Sequence, residues 1–361
     1  MSHWDRALNV IREGASAGVF PGACAEAGAA DGRRWHAAVG ALSDEADAPP
    51  VTPATVYDLA SLTKPVAAAT LAMRLVEAGR LDVSSPVSRL EPVWRGADRE
   101  RVTVRDLLEH ASGLPAWAPL WAHHRGRDAV VAAASRAALE YEPRSRSLYS
   151  DLGFIVLGAA LEQAGEAALS EQFDRLWSNA AGDARDEPLC FVPRDDLRRR
   201  AAPTRVSDAR ERLLVGEADD DNAWAMGGIA AHAGLFGTAA AVGAFARTVL
   251  RVLQGDRDAE RRLASRTVLR RFLQPSSVPG SSRALGWDLM RPTSSCGRRM
   301  SPSAFGHTGF TGTSLWIDPA LDFYAVLLTN RVHPAAGPNE PMQQVRRAFH
   351  DALLEGAPSG A

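Results

Sequence analysis

Ser61 and Lys64 stand three residues apart in Ser61-Leu-Thr-Lys64, and Lys64 is the single lysine of the chain. The other 40 of the 41 basic residues are arginine. Where a solvated positive charge is needed, this chain uses arginine, so its one lysine marks a place where arginine does not serve. An amine can be tuned to take up a proton, whereas a guanidinium stays protonated in a protein. At a helix start, a hydroxyl three residues before such an amine lies on the same face and has its base at hand. Pro65 fits only near a helix start and supports that placement. The free N–H groups there can receive a developing negative charge. To act as a base near neutrality, a lysine must fall from its ordinary pKa of ~10.4. Burial beside a helix N-terminus supplies that direction, so the sequence predicts a lowered Lys64.

Tyr149-Ser-Asp151 lies at a predicted loop-to-helix junction. A phenol near an ammonium can exist partly as phenolate and shuttle protons. A helix-capping Ser150 beside a packed tyrosine accounts for the same triplet. His307-Thr-Gly309 falls on a predicted strand near the C-terminal end. Gly309 is expected to let a substrate approach the strand edge, and His307 and Thr308 to hydrogen-bond its carboxylate or carbonyl.

The elements that must bring these triplets together are legible from periodicity. Trp4, Leu8 and Ile11 form the apolar stripe of an N-terminal helix. Gly22–Ala30 and Arg33–Gly40 read as strands joined through Asp31-Gly32, a hairpin turn. A helix is predicted from Lys64 to Arg80, ending at Gly79. Thr103-Val-Arg-Asp106 resembles a capping box and opens a helix to His110. Further helices are predicted at Asp128–Leu139, Ser150–Gly165, Ala239–Gln254, Glu260–Leu273 and Glu340–Leu354. Strand runs return at Ala284–Met290, Ser303–Thr308, Thr313–Asp318 and Phe323–Asn330. Residues 182–222, with Arg198-Arg199-Arg200 and Asp219-Asp220-Asp221, read mostly as a solvated excursion. Strands near both ends can share one antiparallel sheet, with the helical middle inserted as a second lobe.

In this order and at these separations the three motifs resemble those of the penicillin-binding-protein and class C β-lactamase family of serine hydrolases, in its esterase- and peptidase-related branch. The likeness extends to Phe20-Pro-Gly-Ala23, Leu107–Leu114, Asn222–Phe236 and Gly306–Asp318. It implies an α+β fold with an antiparallel sheet of about five strands flanked by helices, plus an inserted all-helical lobe. Residues 1–60 and 235–361 would form the sheet lobe, and 61–234 the helical one. The implied mechanism is acyl-enzyme formation. Ser61 attacks a carbonyl, Lys64 and Tyr149 exchange its proton, and the oxyanion sits between the N–H groups of Ser61 and Phe310. Asp151, His307, Thr308, Gly309 and Phe310 are then the expected substrate-binding residues. Asp151 stands where the family commonly has Asn, and His307 where it commonly has Lys. Both departures argue against carboxylate-bearing substrates, because Asp151 repels anions and a neutral His307 attracts them little. A small ester or neutral amide is therefore the expected substrate. β-Lactamase or D-alanyl-D-alanine carboxypeptidase activity, acyl transfer to an alcohol, and a catalytically weak ligand-binding protein are the alternatives.

Composition removes other classes. The chain has 361 residues, 46% hydrophobic and 23% charged, which excludes a disordered chain or a disulfide-stapled miniprotein. With net charge −2 there is no basic excess for nucleic acid. Cys24, Cys190 and Cys296 are too few and too scattered for a disulfide framework or a multi-cysteine zinc site, and no metal or cofactor is expected. No apolar run reaches the ~18 residues of a membrane span, and a cytoplasmic, soluble protein is expected. The oligomeric state is left open. His123-His124 reads as a surface loop, and His110 and His232 as side chains bonded to local carbonyls. Trp117, Trp121 and Trp224 are placed either at a cleft mouth or in packing.

Overall fold

The computed structural model describes residues 2–355. Residue 1 and residues 356–361, included in the expected sheet lobe, lie outside the described residues. The strands are β1 (Gly22–Gly28), β2 (Arg34–Gly40), β3 (Tyr57–Asp58), β4 (Leu189–Phe191), β5 (Val206–Ser207) and β6 (Arg212–Leu213). They continue with β7 (Leu235–Gly237), β8 (Asp288–Leu289), β9 (Phe305–Thr308), β10 (Ser314–Asp318) and β11 (Phe323–Thr329).

Six of them form one antiparallel sheet in the order β2-β1-β11-β10-β9-β8. About five were expected. The sixth is the edge strand β8, where only two residues of the predicted Ala284–Met290 run join the ladder. The predicted hairpin between β1 and β2 forms, with Gly32 at φ +94° in the turn. Both faces of the sheet are covered. In β11, Tyr324, Val326 and Leu328 face one core, while Phe323, Ala325 and Leu327 face another. This period-two alternation, apolar on both sides, belongs to a strand buried between two layers. The terminal helices His3–Ser16 and Glu340–Leu354 cover one face. The Ala239–Gln254 helix covers the other, where a Cβ at Gly243 would collide with the Glu26 carboxylate of β1.

The predicted Lys64–Arg80 helix is realised in three parts. A 3₁₀ turn spans Ala60–Leu62, a wider π turn spans Lys64–Ala69, and the α-helix itself covers Thr70–Glu77. Pro65 stands in the first turn of the Lys64–Ala69 segment, where a missing N–H costs no intrahelical bond, as expected. Gly79, at φ +68°, ends the run as expected. The capping box at Thr103 and Asp106 forms, with both reciprocal bonds present. The predicted Glu260–Leu273 helix splits at Ser265, whose hydroxyl caps a separate helix at Arg266–Phe272.

The middle of the chain also contains strands where only helices and loops were expected. β3, β7 and β4 pair in that order, tying the segment just before Ser61 to Leu189–Phe191. Residues 182–222 are likewise only in part a solvated excursion. Arg198, Arg199 and Arg200 are exposed. The Arg210 guanidinium is fully buried, 2.8 Å from Asp221 and 2.7 Å from the Ala218 carbonyl, and Asp219 is buried as well. Opposite charges 11 residues apart neutralise each other there, which local composition does not reveal.

Behind the sheet, Arg247 Nη1 donates to Glu26 Oε1 and to Tyr324 Oη, both at 2.6 Å. Glu26 is 2% exposed. Burial raises its carboxyl above the usual range, against the pull of Tyr324 and Arg247. Arg247→Met should therefore cost about 3–5 kcal/mol in denaturant unfolding, the range for a broken buried pair. Adding Glu26→Gln should recover part of that loss. A single-variant loss below about 1 kcal/mol would show that the pair does not brace the sheet.

Candidate active site

The segment carrying Ser61 is held in a conformation that few residues adopt unaided. Ala60 has φ +48°, in the left-handed region costly for a side chain with Cβ. Its N–H donates to Asp58 Oδ1 at 2.8 Å. Two threonines of the β9–β10 turn secure the same segment from across the fold. Thr311 Oγ1 donates to the Asp58 carbonyl at 2.7 Å, and Thr313 Oγ1 to the Leu59 carbonyl at 3.0 Å. Burial, followed by the neighbouring Asp219, pushes the Asp58 carboxyl up to about 7.

Ser61 Oγ is the meeting point of the first two of the three motifs. Lys64 Nζ donates to it at 3.0 Å and Tyr149 Oη at 2.7 Å. The lysine is fully buried, and its other two N–H groups are also engaged. One goes to Asp151 Oδ1 at 2.7 Å, the other to the His232 carbonyl at 2.9 Å. Three acceptors in three directions suit an ammonium. This corrects the expected lowering of Lys64. Burial does push its pKa down, but the Asp151 carboxylate and Tyr149 push harder, and the net direction is up. The Tyr149 phenol is also raised, by burial first, with Lys64 opposing. Asp151 is corrected too. It lines the cleft, but its carboxylate is spent on Lys64, so it does not stand as a free charge repelling anions.

His307 is placed beside this cluster, its ring 5.8 Å from that of Tyr149. Its Nδ1 lies 2.7 Å from the Thr308 carbonyl. A carbonyl only accepts, so Nδ1 carries the proton and Nε2 presents a lone pair. Nε2 is buried without a partner among the described residues. Burial, and then the Arg283 charge, holds the imidazole far below its usual pKa. In this state Nε2 can only accept a hydrogen bond, so it has none to give to a carboxylate. Gly309 lines the cleft. A Cβ there would collide with Thr313 Oγ1 and would lie 2.7 Å from Leu59 O and 3.2 Å from Ala60 Cβ, so its missing side chain also admits the segment before Ser61. Thr308 lines the cleft. Phe310 does so too, with a half-exposed ring and an N–H free of hydrogen bonds among the described residues.

The cleft measures about 790 Å³. Trp117 and Trp121 line it, whereas Trp224 packs elsewhere, its ring 4.7 Å from the Arg210 guanidinium. His110 is not bonded to a local carbonyl through its ring. Its Nδ1 accepts the Ser150 N–H at 3.0 Å, and the ring lies 4.6 Å from Tyr149, so it seats the tyrosine. His232 Nε2 pairs with Asp220 at 2.8 Å while its backbone carbonyl receives Lys64. The sequence pattern did not identify Asp220, nor Arg283, which lies 5.2 Å over the Tyr149 ring. One acid in an acidic run and one arginine among 40 carry no local signal. No cluster of His, Cys, Asp or Glu suited to a metal occurs among the described residues, and no single helix there is long and apolar enough to cross a membrane.

Comparison with known proteins agrees with this geometry. A family model described as Beta-lactamase matches residues 9–348. A putative D-alanyl-D-alanine carboxypeptidase of Salmonella gallinarum is 28% identical over 315 residues, covering 79% of this chain and 71% of that protein. An N-acetylmuramyl-L-alanine amidase of Bacillus subtilis is 29% identical over 316 residues, covering 79% and 70%. The solved structure of EstCE1, described as a hydrolase with promiscuous acyltransferase activity, superposes with a TM-score of 0.73 at 21% identity, covering 96% of this chain and 98% of that one. A match across most of the chain, on a fold shared end to end, establishes that this protein belongs to the beta-lactamase family and is a serine hydrolase.

Proposed function

We propose that Ser61 is the nucleophile of an acyl-enzyme hydrolase acting on a small ester. The observation that carries this reading is the position of Ser61 Oγ, 3.0 Å from the chain's only lysine and 2.7 Å from Tyr149, at the wall of the cleft. Attack on the ester carbonyl forms the Oγ–C bond, and the serine proton passes to the Lys64–Tyr149 pair. The oxyanion is received by the N–H groups of Ser61 and Phe310. Collapse breaks the bond to the leaving alcohol, which takes the proton back from the pair. Water then repeats the cycle on the acyl-enzyme. In the resting site both Lys64 and Tyr149 hold their protons, so activity requires one proton to leave the pair. The resulting limb belongs to the pair jointly, and activity rises with pH along it.

The preference for an ester rests on what Asp151 and His307 offer. Neither has an N–H available to a substrate amide or carboxylate. Hydrolysis of an amide is the second reading, favoured by the names of the two relatives, a carboxypeptidase and an amidase.

Ser61→Ala should abolish both fluorophosphonate labelling, read by intact mass, and turnover of a short-chain nitrophenyl ester. Labelling that persists in this variant would remove Ser61 from the mechanism. Lys64→Arg and Lys64→Met should both fold, by circular dichroism, and both lose most of kcat, since neither side chain can accept a proton. Near-normal turnover in Lys64→Arg would show that no proton moves through this residue.

On substrates, kcat/KM for the simple ester should exceed that for a chromogenic cephalosporin and for a D-alanyl-D-alanine peptide. The reverse order would favour the amide reading. Asp151→Asn tests the charge on Lys64. Removing the carboxylate takes away what favours the ammonium, while burial remains, so Lys64 releases its proton more readily. The acidic limb of kcat/KM should move to lower pH, by about 1–3 units. A limb that stays in place or moves up would mean that Asp151 does not set it.

A further inference from the structure

Two buried guanidiniums pack against the segment that carries Phe310, and both also line the cleft. Arg346, from the C-terminal helix, is 3% exposed, and Arg331, just past β11, is 7% exposed. Neither has a carboxylate within ion-pair distance among the described residues, although the chain pairs most of its other buried charges. Their partners are main-chain carbonyls, three of them in the turn between β9 and β10. Arg346 Nη2 donates to the Gly309 carbonyl at 2.8 Å and to the Thr313 carbonyl at 2.9 Å. Arg331 Nε donates to the Phe310 carbonyl at 2.9 Å, and its Nη1 to the Gly337 carbonyl at 3.2 Å. A buried cation without a counter-ion is costly. Burial, and then repulsion from Arg331, works against the charge on Arg346.

The Gly309 carbonyl and the Phe310 N–H are the two ends of one planar, trans peptide unit, and they point in opposite directions. A charged donor on the carbonyl end therefore does two things. It fixes the plane, and so the direction in which the N–H points. It also draws electron density toward the carbonyl oxygen, which makes the N–H a stronger donor. The Gly309 carbonyl also accepts the Gly312 N–H at 3.1 Å, and the Gly309 N–H donates to the Thr313 carbonyl at 2.8 Å. The turn is thus closed on itself around Arg346, with the Phe310 N–H left free.

We propose that Arg346 is a positioning residue for oxyanion stabilisation: through the Gly309 carbonyl it aims and polarises the Phe310 N–H. This rests on the reading that Ser61 forms an acyl-enzyme whose oxyanion lies at Phe310. The counter-charge that Arg346 lacks in the resting protein is then the one that appears at the reacting carbonyl. Preorganised positive potential aimed at developing charge is where enzymes gain most. Arg331 supports the same turn one peptide further on and does not touch the Gly309 carbonyl.

The test uses the full chain with Arg346→Met and Arg346→Lys, and Ser61→Ala as the control for the underlying reading. The substrate is a nitrophenyl ester and the tetrahedral-anion mimic is phenylboronic acid. Arg346→Met should lower kcat at least tenfold, toward the ~10²-fold typical of a lost oxyanion donor, with KM changed little. Affinity for phenylboronic acid should fall by a similar factor. The infrared carbonyl stretch of the acyl-enzyme should move to higher frequency, since a weaker donor polarises that bond less. Arg346→Lys, which keeps the charge, should recover part of each effect. If Arg346→Met does not fold, Arg346→Lys carries the same readouts at smaller amplitude against wild type. A loss confined to KM, or a loss of kcat with the carbonyl stretch unmoved in either variant, would overturn the proposal and leave Arg346 a packing residue. Turnover or labelling persisting in Ser61→Ala would instead overturn the acyl-enzyme reading, whatever Arg346 does.

Discussion

The site is organised by the need to keep one buried ammonium satisfied. Lys64 has no solvent, and each of its three N–H groups must find an acceptor. They find the Ser61 hydroxyl on the adjoining turn, Asp151 at the start of a helix 87 residues on, and the His232 carbonyl in a loop 168 residues on. Displacing any one of these leaves a charged donor unpaired in the core. The positions of Ser61, the Asp151–Gly165 helix and the loop before β7 are therefore mutually determined. Tyr149 is carried along, because it precedes the helix cap Ser150 and is seated by His110.

The sheet sets the other half of the geometry. β9 and β10 end in the turn whose threonines hold the main chain just before Ser61. β11, buried on both faces, fixes β10, and the two terminal helices fix β11 from one side. A strained Ala60 is tolerated because these long-range bonds overdetermine it. The segment is thereby clamped between its own Asp58 side chain and a turn more than 250 residues later. Such a clamp keeps the Ser61 segment and the turn that carries Phe310 in fixed relation.

Charge is distributed around the cleft in an ordered way. Anionic partners sit on the Lys64 side, in Asp151 and, behind His232, Asp220. Cations without carboxylate partners sit on the Phe310 side, in Arg331 and Arg346. The arrangement holds a proton on one side of Ser61 and favours negative charge on the other. His307 lies between them as a neutral acceptor, its proton committed to Thr308.

Much of this was legible in the chain itself. The serine three residues before the lone lysine, the helix opening after Tyr149 and most of the strand runs near both ends follow from local residue types, and the structure contains them, with the run at 284–290 reduced to two residues. Period-two patterning and capping signals are properties of a few consecutive residues, so sequence alone determines them. What it did not determine is what each side chain faces. Asp151 became the partner of Lys64, Gly309 the neighbour of Leu59 and Ala60, and the acidic run at 219–221 partly an interior network. The direction of the Lys64 shift reversed for the same reason, since burial was foreseeable but the carboxylate opposite was not. Arg346 is one arginine among 40, and nothing near it in the chain distinguishes it. Its hydrogen bond goes to a carbonyl 37 residues away that only the packing of the last helix on the sheet brings within reach. Local pattern sets which elements form, but electrostatic partners are chosen across the fold, where distance in space is unrelated to distance in sequence.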